Sequence, residues 1–251
     1  MAVQTASPTR TMTAGAAAQV TLLTGLTVVA GLGPAGWLAA LLFAAAGWAL
    51  LTAGLRSSGA VSLGPADRVT LARSVLVGCV TALVVDTVHQ PAPVPLLVAF
   101  ASVALVLDAV DGRVARRTGT CSALGARFDM EVDAFLILVL SAYLATSFGA
   151  WVLIIGGMRY AFVAASRGLT WMRAALPPSM VRKAVAAGQG IALTVAASGV
   201  LPTPGAIVLT ALALAALAWS FGHDVLWLHR HRVSVPARPL PRTWALQPAH
   251  R

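Results

Sequence analysis

Apolar residues run along this chain in blocks, each close to the ~20 residues that a helix needs to cross a bilayer. The blocks predict spans at about 15–32, 34–54, 69–88, 93–112, 121–146, 149–166, 183–200 and 204–228. Gly33-Pro34, Pro91-Ala92-Pro93 and Leu201-Pro202-Thr203-Pro204 separate several of them. The first block is the weakest, rich in Ala, Thr and Gly with Gln19 inside it. A signal peptide fits it poorly, because only Arg10 precedes the apolar stretch and no clean cleavage site follows. No internal repeat is visible. From about 234 onward the Pro/Arg-rich sequence predicts a disordered, cytoplasmic tail. The expected architecture is an all-α, polytopic membrane helix bundle.

Composition sharpens this reading. Hydrophobic residues make up 58% of the chain and charged residues 10%, whereas a soluble domain carries about 45–50% and about 25%. That excludes a soluble monomer, and two cysteines, Cys79 and Cys121, are too few for a disulfide scaffold; both are expected to serve packing. The net charge of +10 comes from 18 Lys+Arg against 8 Asp+Glu, and all the basic residues but Lys183 are arginine. In a soluble protein this balance would point to nucleic acid. In an apolar one it points to cytoplasmic loops over anionic lipid, and no nucleic-acid partner is expected.

The arginines also orient the spans. Sixteen of the eighteen basic residues fall in alternate gaps, around Arg10, Arg56 and Arg68, Arg113 to Arg127, Arg167 to Lys183, and Arg230 onward. The gaps near 33, 90, 147 and 202 hold none. The positive-inside rule then places both termini in the cytoplasm. Arg73 and Arg159 remain inside spans, where a charge must face a polar cavity or an acid.

The acids are concentrated. Asp108, Asp111, Asp129, Glu131 and Asp133 account for five of the eight. Asp108 and Asp111 share one helix face, extended without bulk by Gly112 and Ala115. Asp129 and Asp133 stand one turn apart on the next helix, with Gly125 a turn before them, while Glu131 points elsewhere. A short basic loop, Arg113 to about Thr120, is expected to join the two helices, which would pack antiparallel and bring the aspartates face to face. Four converging carboxylates need cations, and all-oxygen ligands select Mg²⁺ or Mn²⁺ over zinc. A diphosphate bridging such ions is the natural ligand.

Asp108-x-x-Asp111-Gly112-x-x-Ala115-Arg116, eight further residues, then Gly125-x-x-x-Asp129-x-x-x-Asp133 resembles the signature of the CDP-alcohol phosphotransferase (CDP-alcohol phosphatidyltransferase) family at every position. Upstream, Pro65 to Arg73 looks like the segment that leads into the family's first core span, with Asp67 where an Asn is frequent. The resemblance implies a six-span core over about 65–228, with two extra N-terminal spans outside it. It divides the chain into 1–60 (tail and extra spans), 61–229 (membrane domain) and 230–251 (basic tail). It further implies Asp108, Asp111 and Asp129 as metal ligands, with Asp133 completing the site or acting as general base, and a pair of Mg²⁺ or Mn²⁺ ions. Gly112, Ala115 and Gly125 would leave room for the nucleotide and diphosphate, and Arg116 would hold phosphate. The implied reaction transfers a phosphatidyl group from CDP-diacylglycerol to an alcohol and releases CMP, at the cytoplasmic face of the cell membrane, in a homodimer.

Arg73, Arg159, Arg182 and Lys183 are expected to form a basic acceptor pocket. Such a pocket favours glycerol 3-phosphate or an inositol phosphate over a neutral alcohol. His223 and Asp224 are expected at the interface, and Asp86 at the outer surface. A cation-coupled transporter is the alternative, but its acids would lie near the bilayer midplane with polar groups leading to both sides. A catalytically inactive family member is a further alternative, against which stands the complete signature.

Overall fold

The structure, a computed structural model, describes residues 8–58, 65–118, 123–174 and 176–231. Of residues 8–10, 57, 58, 65, 66, 111–118, 123 and 124 it describes the backbone path alone. Eight α-helices follow one another among the described residues: α1 (Pro8–Ala30), α2 (Pro34–Ser58), α3 (Pro65–Asp86), α4 (Val94–Thr118), α5 (Ala123–Phe148), α6 (Leu153–Gly168), α7 (Met180–Ala197) and α8 (Thr203–His231). Short 3₁₀ turns, Ala150–Val152 and Thr170–Arg173, lead into and out of α6. No strand occurs among the described residues.

Each expected span coincides with one helix, and the Gly/Pro signals mark the ends. Gly31 and Gly199 take φ of 67° and 71° just beyond α1 and α7, a conformation that glycine reaches without a Cβ clash. Pro34 opens α2, where a missing N–H costs nothing. Five helices carry stretches long and apolar enough to cross a membrane: Thr11–Ala30, Pro34–Arg56, Asp67–Asp86, Gly125–Phe148 and Thr203–His231. The apolar part of α4, Val94–Val110, is shorter. One expectation is corrected here. The segment expected as a basic loop from Arg113 continues α4 to Thr118. Alanine and arginine favour helix, and cations at a helix C-terminus oppose the negative end of its dipole.

Helix α3 is the axis of the bundle. In its apolar window 72% of residues are buried, against 22% in α1 and 11% in α2. It packs against α1, α2, α4 and α5, while α4 and α5 reach one another chiefly through α3 and α7 among the described residues. Helix α3 thus supports both of the helices that carry the aspartates, whose carboxylates meet beside it. The core runs through Leu23, Val80, Leu97, Leu136, Leu140 and Leu193, all fully buried. Gly156 lets α6 lie close on α5, since a Cβ there would stand 2.5 Å from the Leu138 Cα.

At the far end of α3, buried Asp86 accepts the Gly33 amide at 3.0 Å and also takes the Gln90 amide. Its carboxylate thus sits at the N-terminus of α2, where the helix dipole favours an anion. Asp86, expected at the outer surface, is instead the knot that fastens the α1–α2 hairpin to the core. Gln19, the polar residue of the weakest span, is buried against Gly78 and lies 3.9 Å from the Cys79 Sγ.

Candidate metal centre

Two helix periodicities and one tertiary crossing build the centre. Asp129 and Asp133, four apart on α5, present carboxylates on one face. Asp108 approaches from α4. Carboxylate oxygens of Asp108, Asp129 and Asp133 all lie within 4.8 Å of one another. These side chains are 34%, 30% and 37% exposed, so the cluster opens to one side rather than being sealed in the core.

Arg73 of α3 lies among them. Its side chain is 1% exposed, its Nη1 stands 3.0 Å from Asp108 Oδ1, and it pairs with both Asp129 and Asp133. A guanidinium is a planar fork suited to carboxylates, and a fully buried one requires such partners. Three carboxylates converge on this guanidinium, and a divalent cation is a further partner that such a set can hold. The donor set fits that role. Opposite ligands of one Mg²⁺ are about 4.2 Å apart at its ~2.1 Å bond length, close to the spread of these oxygens. All the ligand atoms are hard carboxylate oxygens, as Mg²⁺ and Mn²⁺ prefer. The guanidinium reaches the same three carboxylates, so an ion there would share them with Arg73.

The remaining residues singled out from sequence fall in several places. Asp111, Gly112, Ala115 and Arg116 lie on the last turns of α4, outside the residues whose side chains are described. Gly125 opens the described part of α5 one turn before Asp129. The four residues expected in the acceptor pocket each have their own surroundings. Arg73 belongs to the aspartate cluster. Arg159 pairs with Glu131 at 2.5 Å, which supplies the acid that a mid-span arginine demands. Arg182 pairs with Asp224 at 3.1 Å and donates to the Pro177 carbonyl at 2.5 Å. Lys183 is exposed near the start of α7. Each of these three arginines has an acid within reach, which lowers the cost of burying its charge.

A family model described as CDP-alcohol phosphatidyltransferase matches residues 64–222, more than half of the chain. The chain belongs to the CDP-alcohol phosphatidyltransferase family. No curated protein and no solved structure matches it significantly. As a CDP-alcohol phosphatidyltransferase it is a transferase of phosphate-containing groups, in a family that makes phospholipids at membranes and is typically metal-dependent. The match takes in α3 through α7 and most of α8, and leaves α1 and α2 outside. Arg73 and Glu131 are the site-forming residues whose roles sequence reading missed. The available signal for both was the need of each in-span arginine for an acid partner.

Proposed function

We propose that this protein transfers a phosphatidyl group from CDP-diacylglycerol to an alcohol, with release of CMP. The observation that carries the reading is the convergence of Asp108, Asp129 and Asp133, from two helices, in a cluster at signature positions. In this reading Asp108, Asp111, Asp129 and Asp133 hold a pair of Mg²⁺ or Mn²⁺ ions. Such ions, when bound, draw charge from the phosphoryl oxygens as Lewis acids.

The chain's own residues do the rest. The acceptor's hydroxyl oxygen bonds to the lipid-bearing phosphorus, the P–O–P bridge breaks, and CMP departs with the bridging oxygen. Asp133 takes the hydroxyl proton, since an alcohol is a poor nucleophile at neutral pH until a base relieves it of that proton. Arg73 holds the carboxylates in register and tempers their mutual repulsion. Arg116 contacts phosphate, and Gly112, Ala115 and Gly125 leave room for the nucleotide. An acceptor that carries its own phosphate, glycerol 3-phosphate or an inositol phosphate, is favoured by the abundance of arginine. The domain over 61–229 performs the reaction, 1–60 adds two spans, and 230–251 is a basic tail. The protein spans the cell membrane with its site and both termini on the cytoplasmic side, as a homodimer. The gathering of five of eight acids between 108 and 133 favours this reading over a transporter, whose acids would line a path through the midplane.

The test is purified full-length protein with CDP-diacylglycerol and Mn²⁺, with glycerol 3-phosphate, inositol 1-phosphate, inositol and serine offered separately. CMP release stimulated by one acceptor is the expected result. No release with any of them would remove the reading.

A further inference from the structure

The two helices outside the family match enclose a groove against the core. Its volume is about 740 Å³, within the roughly 300–1,000 Å³ of ligand sites. Small residues of α1 and α2, among them Gly15, Ala16 and Gly47, open it. Leu71 and Val85 of α3 mark its extent along the axis. The rise from Leu71 to Val85 is about 21 Å at ~1.5 Å per residue, more than the ~15 Å of hydrocarbon in one leaflet. The walls are almost wholly apolar.

One end of the groove is different. Glu131 of α5 and Tyr160 of α6 line it there, and Glu131 holds Arg159. Tyr160 brings to that end a phenolic hydroxyl, which can donate as well as accept a hydrogen bond. Glu131 stands between Asp129 and Asp133 in sequence, and two further groove residues, Leu71 and Ser74, flank Arg73. The polar end therefore lies within a helical turn of the aspartate cluster. A long apolar trough with a charged, donor-bearing mouth beside a phosphate-transfer centre matches an amphipathic ligand with its head at the centre and a hydrocarbon tail.

We infer that this groove is a chain-binding subsite for the lipid donor: one acyl chain of CDP-diacylglycerol lies between α1, α2 and the core, with an ester oxygen toward the Tyr160 hydroxyl. The inference rests on the proposed transferase reading. It gives the N-terminal hairpin a task, the selection of donors by chain length.

The experiment compares dipalmitoyl and dioctanoyl CDP-diacylglycerol as donors for the full chain and for Ala39→Trp, which lines the groove on α2 toward the Asp86 end, away from the aspartates. Ala39→Trp is expected to raise the apparent KM for the dipalmitoyl donor about tenfold or more, as for roughly two methylenes left unburied. Its turnover of the dioctanoyl donor, whose chain is too short to reach Ala39, is expected to stay unchanged. Ala39→Phe serves as a second filled variant should the first fold poorly. Independently, a dipalmitoyl donor with a diazirine in mid-chain is photolysed on the unmodified protein. Label on α1 and α2 that excess CDP-diacylglycerol displaces, and excess phosphatidylglycerol does not, supports the subsite. Label displaced equally by both marks a bulk-lipid contact and overturns it, as does label confined to other helices. Unaltered chain-length discrimination in both filled variants, with CMP still released, sinks the inference and leaves the transferase reading standing. No CMP release by the unmodified chain from either donor sinks both.

Discussion

Arg73 Nη1 stands 3.0 Å from Asp108 Oδ1, an ion pair that ties α3 to α4 within the cluster expected to bind metal. The same guanidinium engages Asp129 and Asp133 on α5. The guanidinium therefore links the three helices. A divalent ion and Arg73 draw on the same carboxylates, which makes their effects on the site separable by experiment.

Removing Arg73 should destabilise the metal-free protein and strengthen metal binding. Breaking a buried pair costs ~3–5 kcal/mol. Because the acids are about a third exposed and can hydrate, about 2 kcal/mol is expected here, by analogy with weaker exposed pairs. Thermal unfolding of Arg73→Ala in chelator should show the loss, and added Mn²⁺ should restore more stability than it gives the parent. Mn²⁺ titration followed by electron paramagnetic resonance should show tighter binding. Unchanged stability and unchanged affinity together would contradict this account of Arg73.

Asn in place of Asp108, Asp129 or Asp133 preserves shape and removes charge. Each substitution should lower CMP release by about a hundredfold or more, the scale of a lost catalytic acid–base or electrostatic contribution. Chelation should stop the parent enzyme, and Mg²⁺ or Mn²⁺ should revive it. The measurement is CMP produced per unit of membrane-inserted protein, with insertion checked separately; parent-level rates in all three variants would dismiss the metal assignment.

Arg159 and Glu131 form a pair 2.5 Å apart between α6 and α5. Arg159→Ala leaves Glu131 uncompensated at membrane depth and should cost more stability than the double change Arg159→Ala with Glu131→Gln. Unfolding in a mixed-micelle series, analysed as a double-mutant cycle, reads the coupling. A coupling near zero would mean that the pair contributes nothing to the packing of α6.

Gly156 sits where a Cβ would lie 2.5 Å from the Leu138 Cα, a backbone atom that has no rotamer to yield. Gly156→Ala should push α6 off α5 at a cost of about 1–3 kcal/mol, as overpacking does. Arg159, one turn on, should lose register with Glu131. Thermal unfolding and cross-linking between cysteines placed on α5 and α6 would detect both effects, and parental behaviour in each would refute the close approach.

Asp86 holds Gly33 and Gln90 at the opposite end of α3 from Arg73, ~20 Å away at ~1.5 Å per residue. Asp86→Ala should cost about 1–3 kcal/mol by leaving the half-buried Gly33 amide without its partner. Residual CMP release per folded molecule should match the parent. A catalytic defect without loss of stability would place Asp86 in a role other than fastening the hairpin.

Much of this molecule was legible in one dimension. Apolar blocks and Gly/Pro breaks located all eight helices, because span length and helix termination are local properties of the chain. The spacing of Asp108, Asp129 and Asp133 identified the acids that meet, because helical periodicity is local too. The boundary at Arg113 was misread as a loop, since helix propensity and the dipole carried α4 on to Thr118. The acid partners that the residues expected in the acceptor pocket, Arg73, Arg159, Arg182 and Lys183, would find were not legible. Three of those residues found acids on other helices: Arg73 on α4 and α5, Arg159 on α5 and Arg182 on α8.

By itself the sequence determined an all-helical, apolar, arginine-rich chain with a cluster of carboxylates at family spacing. Each of those properties repeats within a few turns of a single helix. Tertiary structure alone decided that α3 stands between α4 and α5, that Arg73 enters the acid cluster, and that α1 and α2 frame a groove beside it. Those outcomes depend on which faces meet across tens of residues of chain. Close packing and the cost of an unpaired charge in a low-dielectric interior select them together, and neither leaves a period along the chain.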